Sequence, residues 1–123
     1  MDSSARPATV PCRGWWEQEF YGRQPMEDLS LTVAGRSLAG AGRDVVGRFS
    51  LEGFMATDGR VSIEKRYTGR HSVFYEGQTD GEGRLWGMWA LPGYRGRWMI
   101  EMGRTAAADP DDDVASIRPD PSL

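Results

Sequence analysis

The chain carries one lysine, Lys65, one histidine, His71, and one cysteine, Cys12. Lys65 and His71 fall in a single stretch, IEKRYTGRHSVFY, together with Tyr67 and Tyr75. An imidazole that titrates near neutrality can give or take a proton, an ammonium can meet an anion, and phenols can donate hydrogen bonds. Asp44, in the sequence GRD, supplies a carboxylate that could act with His71 as an acid and base pair. Gln18, Glu27 and Trp89 add an amide, a second acid and a stacking surface. No residue stands out as a nucleophile with its own base.

Each of these residues also has a structural role open to it. His71 beside a tight turn can simply hydrogen-bond the turn, Lys65 can reach the rim or pair with Glu27, and Asp44 can bond its own backbone. Trp86, Trp89 and Trp98 suit the core of a small β-fold, and Phe49 suits it equally. A metal site is not expected: one cysteine and one histidine cannot build a multi-cysteine centre, and the run DPDDD lacks the glycine and terminal glutamate of a calcium loop. Haem would depend on His71 alone, with acids placed badly for its propionates, so no cofactor is expected.

The elements that must position these groups are short. Turn-forming clusters GRQP, AGR, RDV, ATDG, TGR, TDGEG and PGYR separate eight segments: Gly14–Tyr21, Met26–Val33, Arg36–Gly42, Val46–Met55, Arg60–Tyr67, His71–Gln78, Arg84–Leu91 and Gly96–Gly103. None shows a sustained helical period, and several alternate as half-buried strands do. Eight such strands predict an all-β, eight-stranded antiparallel up-and-down barrel, with a two-sheet sandwich as the alternative. Alternation turns Val61, Ile63, Lys65 and Tyr67 inward, followed by Val73 and Tyr75. On other strands it turns Phe49 and Leu51, Leu29, Leu31 and Val33, Leu85, Gly87 and Trp89, and Trp98, Ile100 and Met102 inward. Trp15, Met88 and Met99 point outward and could form a contact in a homo-oligomer, a dimer or tetramer.

With 123 residues, 39% hydrophobic and 11% aromatic, the chain is expected to form one globular domain. The domain spans residues 14–104, between an N-terminal arm (1–13) and an acidic tail (105–123), both expected to be disordered. The net charge of −3 leaves no basic stripe, which excludes nucleic acid as a partner. No apolar run is long enough for a membrane helix, and no membrane partner is expected. The lone Cys12 fits a reducing, cytoplasmic setting. Arginine replaces lysine almost throughout, which points to a GC-rich bacterial genome.

Gly14-Trp15-Trp16 resembles the G-x-W that opens the first strand of calycin barrels, the superfamily of lipocalins, fatty-acid-binding proteins and avidins. In those proteins the tryptophan plugs the closed end and an arginine near the end of the last strand lies across it. Trp16 and Arg104 are similar to that pair. LAGAGRDVVGRFSLEG, HSVFYEGQ and GRLWGMWAL resemble strands of the avidins. The resemblance places Gln18 and Trp89 at positions that touch biotin in avidins and Asp44 near a third, but Gly42 falls where avidins use a tyrosine. An ionised Asp44 donates no hydrogen bond, so the avidin biotin set is not intact.

With Trp16 as the plug, Gln18 and Phe20 share its inward face and Glu17 and Glu19 face out. The loops GRQP, RDV, TGR and PGYR then rim the open mouth. That arrangement gathers Glu27, Asp44, Lys65, Tyr67, His71 and Trp89 near the rim, with Gln18 and Tyr75 deeper and Phe49 and Trp98 below. Apolar walls with a few convergent polar groups imply a small-molecule site. Three functions fit: a binding barrel for a partly apolar ligand with polar or anionic groups, a barrel enzyme, or a packed interaction module. The enzyme would be a cyclase or isomerase of specialised metabolism that uses His71 and Asp44.

Overall fold

The computed structural model describes residues 7–103. They form one closed barrel of eight antiparallel strands: β1 (Ala8–Gln18), β2 (Gly22–Ala34), β3 (Ser37–Arg43), β4 (Arg48–Met55), β5 (Arg60–Tyr67), β6 (Ser72–Thr79), β7 (Arg84–Leu91) and β8 (Tyr94–Met102). Each strand pairs with its neighbour in sequence. β1 returns to β8 with Cys12–Gln18 against Gly96–Met102, which leaves no sheet edge open. This is the expected up-and-down barrel, closed rather than sandwiched and consistent with a calycin-like layout. Residues 1–6, Arg104 and the acidic segment 105–123 lie outside the described residues. No helix among those described is long and apolar enough to cross a membrane.

Glycines on the inner face let strands approach where the barrel bends. Gly77 and Gly87 face each other across β6 and β7. A Cβ on Gly77 would meet the Trp86 carbonyl oxygen at 1.9 Å, and one on Gly87 would meet that of Glu76 at 1.9 Å. Any side chain there would force the two strands apart.

The interior towards the β2–β3, β4–β5 and β6–β7 turns is apolar. Leu31, Leu38, Val61, Ile63, Leu85 and Ile100 are all buried there and in the waist. Each such side chain contributes roughly 1.5–3 kcal/mol of transfer free energy. Strand alternation read from sequence holds through β5, where Val61, Ile63, Lys65 and Tyr67 are all buried.

Four expectations need correction. β1 begins at Ala8 rather than Gly14, so residues 8–13, expected in the arm, are strand. Cys12 is therefore a half-buried strand residue whose thiol is pushed up to about 11 by burial. In β2 the register shifts between Glu27 and Ser30, and Asp28 takes a left-handed φ of 52°. That bulge reverses the face: Leu29 and Leu31 point in, but so does Met26, and Glu27 points out to Arg43 at 2.9 Å. Phe20, expected inward, lies beyond the end of β1 in a turn with φ 74° and is 92% exposed. Trp86, expected in the core, is the residue between inward Leu85 and Gly87 and pairs with Met99 on the outer face.

Candidate functional site

The other half of the barrel is built around a buried ion pair. β5 carries Lys65 inward between Ile63 and Tyr67 because its alternation is unbroken. The turn from β3 to β4 begins at Asp44, whose Oδ1 accepts from the N–H groups of Val46 (2.9 Å) and Gly47 (3.4 Å). This local bond is the aspartate's turn role. Its Oδ2 reaches into the barrel, where it accepts from Lys65 Nζ at 2.7 Å, the Tyr67 hydroxyl at 2.7 Å and Trp16 Nε1 at 3.0 Å. Both side chains of the pair are 0% exposed.

Lys65 is caged as well as paired. Its Nζ donates to the Tyr75 hydroxyl at 3.1 Å. It also lies 4.3 Å from the centre of the Phe49 ring, 4.9 Å from Tyr67 and 5.3 Å from Tyr75. A buried charge needs this density of partners. Burial pulls the Lys65 ammonium down to about 8, against the opposing hydrogen bond and charge of Asp44. Burial would raise Asp44, but the hydrogen bond and charge of Lys65, with the Tyr67 and Val46 bonds, hold it below its ordinary value. Both tyrosines are raised, first by burial and then by the Asp44 carboxylate, so they stay protonated.

Above this floor lies a cavity of about 250 Å³ that opens at the β1–β2, β3–β4, β5–β6 and β7–β8 end. Trp16, Gln18, Tyr67, Val73, Tyr75 and Trp89 line it, and Val46, His71, Leu91 and Tyr94 complete the rim. The mouth therefore sits at the end expected from loop order. Trp16 and Trp89 meet edge to face at 5.9 Å, and Trp89 Nε1 donates to the Glu17 carbonyl at 3.2 Å. Phe20, Tyr21, Val45 and Tyr94 stand exposed around the opening.

Of the residues expected at the site, Gln18, Tyr67, His71, Tyr75 and Trp89 line the cavity. Gln18 points in while Glu17 and Glu19 pair outside with Arg97 at 2.7 Å and Arg95 at 3.0 Å. Asp44 and Lys65 lie beneath the lining rather than in it, because each satisfies the other. Phe49 and Trp98 are core: Phe49 packs against Tyr67, and Trp98 stacks on Tyr75 at 5.1 Å with its N–H on the carbonyls of Glu76 and Met88. Glu27 is on the outer surface. His71 is exposed at the rim with its ring 5.4 Å from that of Tyr67, and nothing joins it to Asp44.

Trp16 is not the plug of the closed end. The early start of β1 puts it near the strand's mouth end, two positions before Gln18, where it walls the cavity. Its expected partner Arg104 is outside the described residues. At Gly42 a Cβ would meet the Phe49 ring at 2.8 Å, so Phe49 fills the space that a larger residue 42 would need. Leu91 continues the inward alternation of Leu85, Gly87 and Trp89 to the end of β7, whereas Val46 and Tyr94 flank loops where alternation gives no face.

No three of the described histidine, cysteine, aspartate and glutamate residues are grouped to hold a metal ion. Chemically, the site can stack an apolar body between indole and phenol rings and offer it a few hydrogen bonds. Comparison of the chain with protein-family models, curated proteins and solved structures finds no match.

Proposed function

We propose that the protein is a small-molecule-binding barrel of avidin- or lipocalin-like layout, whose mouth takes a partly apolar ligand with polar or anionic groups. The observation that carries this reading is a hollow mouth walled by Trp16, Tyr67, Tyr75 and Trp89 directly above a buried ion pair. An interior serving stability alone would be filled by side chains at this level. At about 250 Å³ the cavity lies just under the ~300–1,000 Å³ of drug-sized sites, which limits the occupant to a small molecule. The Gln18 side chain has no hydrogen-bond partner among the described residues and is free to meet a ligand. The outward Trp15, Met88 and Met99 support a homo-oligomer, and the lone cysteine and arginine-rich composition support a bacterial, cytoplasmic protein.

The enzyme reading has weaker support. Asp44 accepts five hydrogen bonds, which occupies the lone pairs a general base would use.

Tryptophan fluorescence tests the binding reading, because Trp16 and Trp89 wall the cavity. A screen of small aromatic and alicyclic metabolites should give saturable quenching with at least one class, and Val73→Phe, which fills the cavity, should abolish it. Absence of saturable quenching across the screen would remove the reading.

A further inference from the structure

The hydrogen bonds of the mouth run in one direction. Ionised Asp44 can only accept, and it takes the protons of Trp16 Nε1 and the Tyr67 hydroxyl. The Trp89 N–H is likewise taken, by the Glu17 carbonyl. The Lys65 ammonium can only donate, so its 3.1 Å bond to Tyr75 ends on the phenol oxygen. The Tyr75 proton must then point elsewhere, and among the described residues it has no acceptor. Tyr75 is 2% exposed, yet it lines the cavity. A buried donor left without an acceptor is costly, so an occupant of the cavity has a proton waiting for it. Donation by Lys65 into the phenol oxygen also polarises that O–H and strengthens it as a donor.

The charge balance narrows the occupant. Lys65 and Asp44 cancel at 2.7 Å, so the floor offers no net positive charge. A carboxylate drawn down to Tyr75 would lose its hydration without gaining a counter-charge. Trp16 and Trp89 present apolar ring surface beside the same space.

We propose that Tyr75 is the specificity-determining donor of the mouth and that the ligand is a small, uncharged carbonyl compound. Its oxygen accepts the Tyr75 proton and its apolar body lies against Trp16 and Trp89. This inference rests on the reading of the cavity as a binding site and narrows it to one ligand chemistry.

The test uses the full chain and three probes of one shape: 1-indanone, indane and indane-1-carboxylate. Wild type should bind 1-indanone about tenfold more tightly than indane, and Tyr75→Phe should bring the two within roughly twofold. Indane affinity should be little changed by that substitution. Equal affinity of wild type for indane and 1-indanone would overturn the inference while leaving the binding reading intact. Tighter binding of the carboxylate would overturn it in favour of an anion site. Failure of all three probes would overturn the ligand class, and the metabolite screen separately decides whether the cavity binds anything. Infrared spectroscopy of wild type keeps the idea testable if Tyr75→Phe fails to fold. The carbonyl stretch of bound 1-indanone should lie below its value in an apolar solvent, and a stretch at that value would refute the proposal.

Discussion

The two halves of the barrel interior are built on different rules. Around Leu38, Val61 and Leu85 the interior is dry and needs only apolar side chains of the right volume. Around Lys65 it is polar, caged and partly hollow. The same strands supply both halves: β5 contributes Val61 and Ile63 to one and Lys65 and Tyr67 to the other. A barrel can therefore keep its fold with one half while the second departs from close packing. The departure is stabilised by the Lys65–Asp44 pair and its hydrogen bonds rather than by area, and a cavity lies above it.

The largest expected effect breaks the network. Lys65→Met should cost ~3–5 kcal/mol, because it leaves the Asp44 charge buried and unpaired. Adding Asp44→Asn should recover part of that loss, a coupling that urea unfolding of both single variants and the double variant would measure. Costs that simply add would mean the two groups do not act as a pair.

In the dry half, Leu85→Ala should cost ~2–5 kcal/mol through the cavity it opens. Its effect should fall on stability alone, with fluorescence titrations of the mouth unchanged. A parallel loss of ligand affinity would show that the halves are not separable. Val73→Phe is the converse: overpacking there should cost ~1–3 kcal/mol and remove binding. Outside the barrel, Arg97→Ala breaks the exposed pair with Glu17 and should leave the urea midpoint almost unmoved.

The same network also sets a pH dependence. Asp44 is held below its ordinary 3.8, so its contribution is complete above that value and is lost as pH falls through the depressed one. Lys65 is held at about 8 against an ordinary 10.5. Between those values the unfolded chain keeps a proton that the folded one has released, so this group makes stability rise with pH across that window. Comparing urea midpoints of wild type and Lys65→Met should show the alkaline rise in the wild type only.

Much of this was legible in the sequence, for reasons that can be located. Glycine- and aspartate-bearing turns gave eight strands, and unbroken alternation placed Lys65, Tyr67, Val73 and Tyr75 inside. Alternation failed where a strand changed face or ended. The bulge at Asp28 sent Glu27 outward, the turn after Gln18 sent Phe20 outward, and the early start of β1 moved Trp16 from plug to wall. Pairing was the harder matter. A single sequence shows that Lys65 and Asp44 both approach the mouth, but not that they meet. Had they stayed apart, both would have faced the ligand. Because they meet, the ligand faces the tyrosines instead.

Lys65 is the chain's only lysine, so nitrogen NMR of protein labelled at the lysine side chain reports this centre through one resonance. A titration midpoint near 8, moved by Asp44→Asn, would support a mouth organised on a buried, paired ammonium. A midpoint at the ordinary 10.5, indifferent to Asp44, would contradict it.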